Sequence, residues 1–116
     1  IILLDRFTDS TVAYQHYGMG LNKTLINKIN KILLKNIKPN KVFLNIVNEK
    51  NLKKRLNLRK NKNRYDNFKL NFYRTVQKGF LKLAKNKHNY IIIDSNKKLI
   101  DNKKNVLHHV VQLLNK

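Results

Sequence analysis

Ile1-Ile2-Leu3-Leu4-Asp5-Arg6-Phe7-Thr8-Asp9-Ser10-Thr11-Val12-Ala13-Tyr14-Gln15 is the stretch on which the fold turns. An unbroken apolar run stops abruptly at an Asp-Arg pair, which is how a strand covered on both faces looks in a parallel sheet. Open α/β sheets bind ligands outside the carboxyl ends of such strands. Asp5 and Arg6 therefore stand where a ligand is expected, and the arginine fork suits a phosphate or carboxylate. On these residues alone, a surface ion pair capping a strand end is an equally good reading.

Working outward, Asp9 to Tyr17 is expected to form a short helix broken by Gly18 and Gly20. Asn22 can cap a second helix, in which Leu25, Ile26, Ile29, Ile32 and Leu33 recur at helical spacing and predict one buried face. Val42-Phe43-Leu44-Asn45-Ile46-Val47 reads as a second buried strand. Asn48 then caps a basic helix with a narrow stripe of Leu52 and Leu56. Phe68, Phe72, Val76 and Phe80 step every four residues, with Leu83 continuing the seam, and predict a long helix packed through an aromatic stripe. Tyr90-Ile91-Ile92-Ile93 is the third buried strand, ended by Asp94-Ser95-Asn96. A closing helix from about Asn102 is expected to turn Val106, Leu107, Val110, Val111 and Leu114 inward. Strands alternating with helices predict an α/β fold with parallel strands.

The string Asp5-Arg6-Phe7, then Ser10-Thr11-Val12-Ala13-Tyr14-Gln15-His16-Tyr17-Gly18-Met19-Gly20, resembles a continuous segment of the bacterial thymidylate kinases. Met19 departs from it, standing where many relatives carry Arg. The resemblance covers essentially all of the chain, but only about the carboxyl-terminal half of the family pattern. It implies the parallel-sheet P-loop nucleoside monophosphate kinase fold in an incomplete form, three strands of the sheet plus helices, with residues 1–116 as the carboxyl-terminal part of a single domain. It also implies transfer of the γ-phosphate of ATP to dTMP, giving dTDP for dTTP synthesis, with Mg2+ bridging phosphates.

By the same resemblance, Arg6 holds the acceptor phosphate and Asp5 orients Arg6 and borders the metal-bound water. Ser10 lines the pocket, Thr11 and Gln15 read the thymine edge, and Tyr14 crowds the sugar where ribose carries its extra hydroxyl. On an α-helix Thr11 shares a face with Tyr14 and Gln15. A mobile lid is expected around residues 55–66, with Arg59 and Arg64 as the catalytic phosphate contacts and Arg55 as a further one. The family's distal lid string, Asp-Arg-x-Glu, here reads Asn63-Arg64-Tyr65-Asp66. Ser95 and Asn96 match the loop on which adenine rests. The relatives are homodimers, which these residues do not independently establish.

The phosphate-binding loop is not in this sequence, since its 3 glycines never take the spacing Gly-x-x-x-x-Gly-Lys-Ser/Thr. In the family the strand before that loop lies between those matching Ile1–Leu4 and Val42–Val47. Residues 1–116 alone are accordingly expected to fold poorly and to bind ATP weakly.

Composition narrows the alternatives. With 26 Lys+Arg against 6 Asp+Glu, the formal charge is +20, which at face value suggests nucleic acid or an anionic surface. The lysines, however, are scattered through every predicted element, and Lys, Asn and Ile dominate together as adenine- and thymine-rich coding sequence would dictate. No specific nucleic acid is expected, although non-specific attraction at low salt is. A basic nucleic-acid-binding module and an inactive kinase remnant are the rival readings. The absence of cysteine excludes disulfides and thiolate metal sites. The 4 histidines show no ligand spacing, and no protein-held metal is expected. No apolar run reaches the length of a membrane span, and a cytoplasmic protein is the expectation.

Overall fold

The computed structural model describes residues 1–35, 37–60, 68–85 and 87–115. The chain divides into two compact units, Ile1–Asn40 with Asn61–Lys87, and Lys41–Lys60 with His88–Lys116.

The first unit is helical. A single turn, α1 (Thr8–Thr11), runs without interruption into a π-helical segment, Val12–Gly18. The predicted short helix is therefore present, but most of it is wound more loosely than an α-helix. Its end is closed by the N–H groups of Gly20 and Leu21, which donate to the carbonyls of His16 and Gln15 at 2.8 and 2.9 Å. α2 (Lys23–Leu34) begins where the sequence placed it, with Asn22 Oδ1 accepting from the Leu25 N–H at 3.0 Å. α4 (Leu70–Ala84) lies against the π-helical segment, with Val76 and Gly79 at the contact and Ala84 also buried. Two glycines set how closely they approach. A Cβ on Gly18 would lie 2.6 Å from Phe72 Cε2, and one on Gly79 would lie 2.6 Å from Tyr17 Cδ2.

The second unit holds the sheet. β1 (Val42–Ile46) and β2 (Tyr90–Asp94) pair in parallel, in a register that sets Leu44 beside Ile92 and Asn45 beside Ile93. Between them in sequence comes α3 (Glu49–Leu58), capped by Asn48 Oδ1 accepting from the Asn51 N–H at 2.8 Å. α5 (Leu99–Leu114) closes the chain. The Phe43 and His109 rings stand 6.4 Å apart, so α5 covers the sheet face that carries Phe43 and Ile93.

Four expectations need correction. Ile1–Leu4 belong to no strand among the described residues, and their side chains are 63–98% exposed. An apolar run specifies what it would bury, but a parallel strand also needs a neighbour for its N–H and C=O groups. β1 and β2 are half-buried rather than buried on both faces: Leu44 and Ile93 are covered, whereas Ile92 is 43% exposed. In α2 only Ile26 is buried, while Leu25, Ile29, Ile32 and Leu33 lie open; among the described residues the π-helical segment is the main partner of this helix. α5 starts earlier than expected, at Leu99, and is rotated. Asn102, Val106, His109, Val110 and Leu113 are half-buried, and Leu107, Val111 and Leu114 face out. The Asn102 Nδ2 bond to the Asp94 carbonyl, 2.9 Å, fixes that rotation at the first turn.

Candidate nucleotide site

The expected acceptor residues all lie in the first unit, where Arg6 meets Tyr14. Arg6 has φ +72°, a left-handed backbone that costs a side-chain-bearing residue about 1–2 kcal/mol. Such strain persists where surroundings hold it, and commonly at functional positions. The turn swings the Arg6 guanidinium over the Tyr14 ring, 5.1 Å from its centroid. Beneath, Tyr14 makes edge contacts with Phe72 at 6.0 Å and Phe80 at 6.3 Å, and Phe68 stacks on Phe72 at 4.2 Å. The aromatic stripe of α4, read from sequence as plain core, is thus also the support for Tyr14. Each such pair is worth about 0.5–1.5 kcal/mol beyond the area it buries.

Gln15 adds the chemically unusual feature. Its amide oxygen is buried with no hydrogen-bond partner among the described residues, a state that costs about 1–3 kcal/mol. An N–H brought in by a ligand would relieve it. Ser10 is half-buried, and Asp5 and Thr11 are exposed. Because π-helical bonds span one residue more than α-helical ones, residues four and five apart share a face. Thr11 therefore aligns with Gln15 better than with Tyr14.

A second polar cluster stands at the carboxyl ends of β1 and β2, the ligand side of an open α/β sheet. Arg55 Nη2 donates to the Ser95 carbonyl at 2.6 Å. The Asn96 amide oxygen accepts from the Asn48 N–H at 3.1 Å and from Asn51 Nδ2 at 2.9 Å. Asp94 Oδ1 accepts from both the backbone N–H and the Nδ2 of Asn96, at 2.9 and 2.7 Å. Those two bonds hold the Asp94 carboxyl below its ordinary value of 3.8. Arg59 is exposed just past α3, its backbone N–H on the Leu56 carbonyl at 3.3 Å. Arg64, with Asn63 and Asp66, lies outside the described residues. Sequence reasoning missed Asn48 and Asn51 as partners of Asn96, because amide side chains carry no signal of contacts so distant along the chain.

Residues 1–106 match the model of the family described as thymidylate kinase. The chain belongs to the thymidylate kinase family. A thymidylate kinase of Trichodesmium erythraeum (strain IMS101) is 42% identical over 97 residues, 83% of this chain and 43% of that protein. One from Limosilactobacillus reuteri (strain DSM 20016) is 39% identical over 114 residues, 93% of this chain and 54% of its own length. One from Sulfurihydrogenibium sp. (strain YO3AOP1) is 38% identical over 96 residues, 81% and 46% respectively. The chain thus spans about half the length of the curated thymidylate kinases it matches. Membership of this family implies a P-loop kinase fold, and the parallel β1–β2 pair with its helices agrees with an α/β architecture.

Proposed function

We propose that this chain is the acceptor-binding and lid-bearing part of a thymidylate kinase that transfers the γ-phosphate of ATP to dTMP. The observation that carries the reading is the amide oxygen of Gln15, buried without a hydrogen-bond partner among the described residues, one position after the Tyr14 that Arg6 covers. A thymine ring offers one imide N–H, the donor that this oxygen lacks. Arg6 takes the acceptor phosphate through its fork, oriented by Asp5. Ser10 and Thr11 border the pocket, and Tyr14, held from below by Phe72 and Phe80, walls the sugar.

Phosphoryl transfer asks for positioned cations more than for covalent chemistry. Arg55, Arg59 and Arg64 supply them from the lid around residues 55–66, and the Ser95–Asn96 loop borders the adenine. Among the described residues no three His, Asp or Glu side chains converge as a metal site. Magnesium is usually held by the nucleotide phosphates with one or two carboxylates, and Asp5 is the side chain that would border its water shell. A homodimer in the cytoplasm completes the proposal. No helix among the described residues is long and apolar enough to cross a membrane.

The test is a panel of nucleoside monophosphates offered with ATP and Mg2+ to the full-length protein. Preferred formation of dTDP supports the reading, and preference for any other base rejects it.

A further inference from the structure

The side chain of Asn96 is engaged at both its oxygen and its nitrogen. Its oxygen accepts from Asn48 and Asn51, and its amide nitrogen donates to Asp94. In a capping box, a side chain three residues into a helix reaches back to the N-cap N–H. At α3 that N–H, on Asn48, is taken instead by Asn96, from the loop after β2. The helix start is therefore bolted to the end of the other strand. Ser95 strengthens the join from both sides, donating its N–H to the Ile46 carbonyl at 2.8 Å while its own carbonyl accepts from Arg55. α3 is the helix that carries Arg55 and leads into Arg59, so its direction decides where those cations stand. Asp94 orients the Asn96 amide, so that the oxygen faces α3 and the nitrogen faces the carboxylate.

We infer that Asn96, oriented by Asp94, is a positioning residue that clamps the start of α3 to the β2 loop and so fixes Arg55 on the donor-nucleotide side. The value of the clamp for catalysis rests on the reading of Arg55 and the lid given above. The clamp itself rests only on the hydrogen bonds.

The test uses the full-length protein with Asn96→Ala and with Asn96→Asp. Asn96→Ala removes the oxygen that accepts from Asn48 and Asn51. Asn96→Asp keeps an acceptor for them, loses the amide donor and sets a second carboxylate beside Asp94. Hydrogen exchange at the Asn48 amide reads the clamp, and KM for ATP against KM for dTMP reads its consequence. Expected for Asn96→Ala are faster exchange at Asn48 and a KM for ATP raised about tenfold or more, the cost of a lost charge-assisted contact from Arg55. KM for dTMP, whose proposed contacts belong to the other unit, stays within about twofold. In Asn96→Asp both changes are smaller, because the acceptor for the Asn48 N–H is kept. Unchanged exchange at Asn48 overturns the clamp. Faster exchange without a change in KM for ATP, or a parallel rise in both KM values, overturns the positioning role. If the wild-type protein phosphorylates no dTMP, the functional reading fails separately. Exchange at Asn48 and the binding of a non-hydrolysable ATP analogue then decide the clamp alone.

Discussion

Gly79→Ala sets helix propensity against the closeness of α4 to the π-helical segment. In a free helix the change would stabilise by about 1 kcal/mol. Here the added methyl would lie 2.6, 2.7 and 2.8 Å from Cδ2, Cγ and Cβ of Tyr17. A clash with the tip of a side chain is relieved by a rotamer change, but Tyr17 Cβ moves only with its backbone. Relief therefore displaces the segment bearing Tyr14 and Gln15, and overpacking of this kind costs about 1–3 kcal/mol, here towards the upper end. The expected net loss is about 1–2 kcal/mol, read in urea unfolding of the full-length protein as a midpoint lowered by about 0.5–1 M. A weaker affinity for dTMP should accompany it. Gly20→Ala is the contrast, with nothing within 4 Å of its Cβ but φ at +79°. It should lose about 1–2 kcal/mol through backbone strain alone, with dTMP affinity kept. An unchanged or raised midpoint for Gly79→Ala would refute the close packing and the coupling drawn from it.

Arg6→Gly removes a strained backbone together with the cation. Relief of about 1–2 kcal/mol is offset by glycine's chain entropy and the lost contact with Tyr14, so stability should stay within about 1 kcal/mol. Affinity for dTMP should nevertheless fall at least about tenfold, as for a lost charge-assisted bond; calorimetry reads the latter and urea unfolding the former. Gln15→Leu removes the orphaned acceptor and should raise stability by about 1–3 kcal/mol while blunting discrimination between thymine and other bases. A destabilised Gln15→Leu would show that the amide has a structural partner. Asp94 titrates below its ordinary value in the folded protein, so its contribution is complete above that value and fades as the pH falls through the lowered one. Exchange protection at Asn48, corrected for intrinsic rates, should therefore hold from neutrality down through the ordinary Asp range and decline only below it. In Asp94→Asn that acid decline should vanish.

Local signals in the sequence translated well into structure. The caps at Asn22 and Asn48, the apolar runs of β1 and β2 and the periodic stripe of α4 each specify an element through neighbouring residues, and each formed. The failures share a different cause. Ile1–Leu4 and the outer residues of α2 and α5 announce burial, yet nothing in an apolar side chain names what covers it. The π-helical winding of Val12–Gly18 has no compositional mark, and it changes which residues share a face with Thr11. In the candidate site, the grouping of Arg6 with Tyr14 was legible through the family string. The bonds from Asn96 to Asn48 and Asn51 were not, because they join residues 48 and 45 positions apart. The unpartnered oxygen of Gln15 emerges only from burial.

That oxygen also offers the most direct test. The side-chain amide resonance of Gln15, followed by NMR in the full-length protein during titration with dTMP, reports whether its oxygen gains a donor. A saturable shift with dTMP, absent with a purine monophosphate, is the expected result. A Gln15 resonance that stays in place while dTMP binds would contradict the acceptor-site assignment.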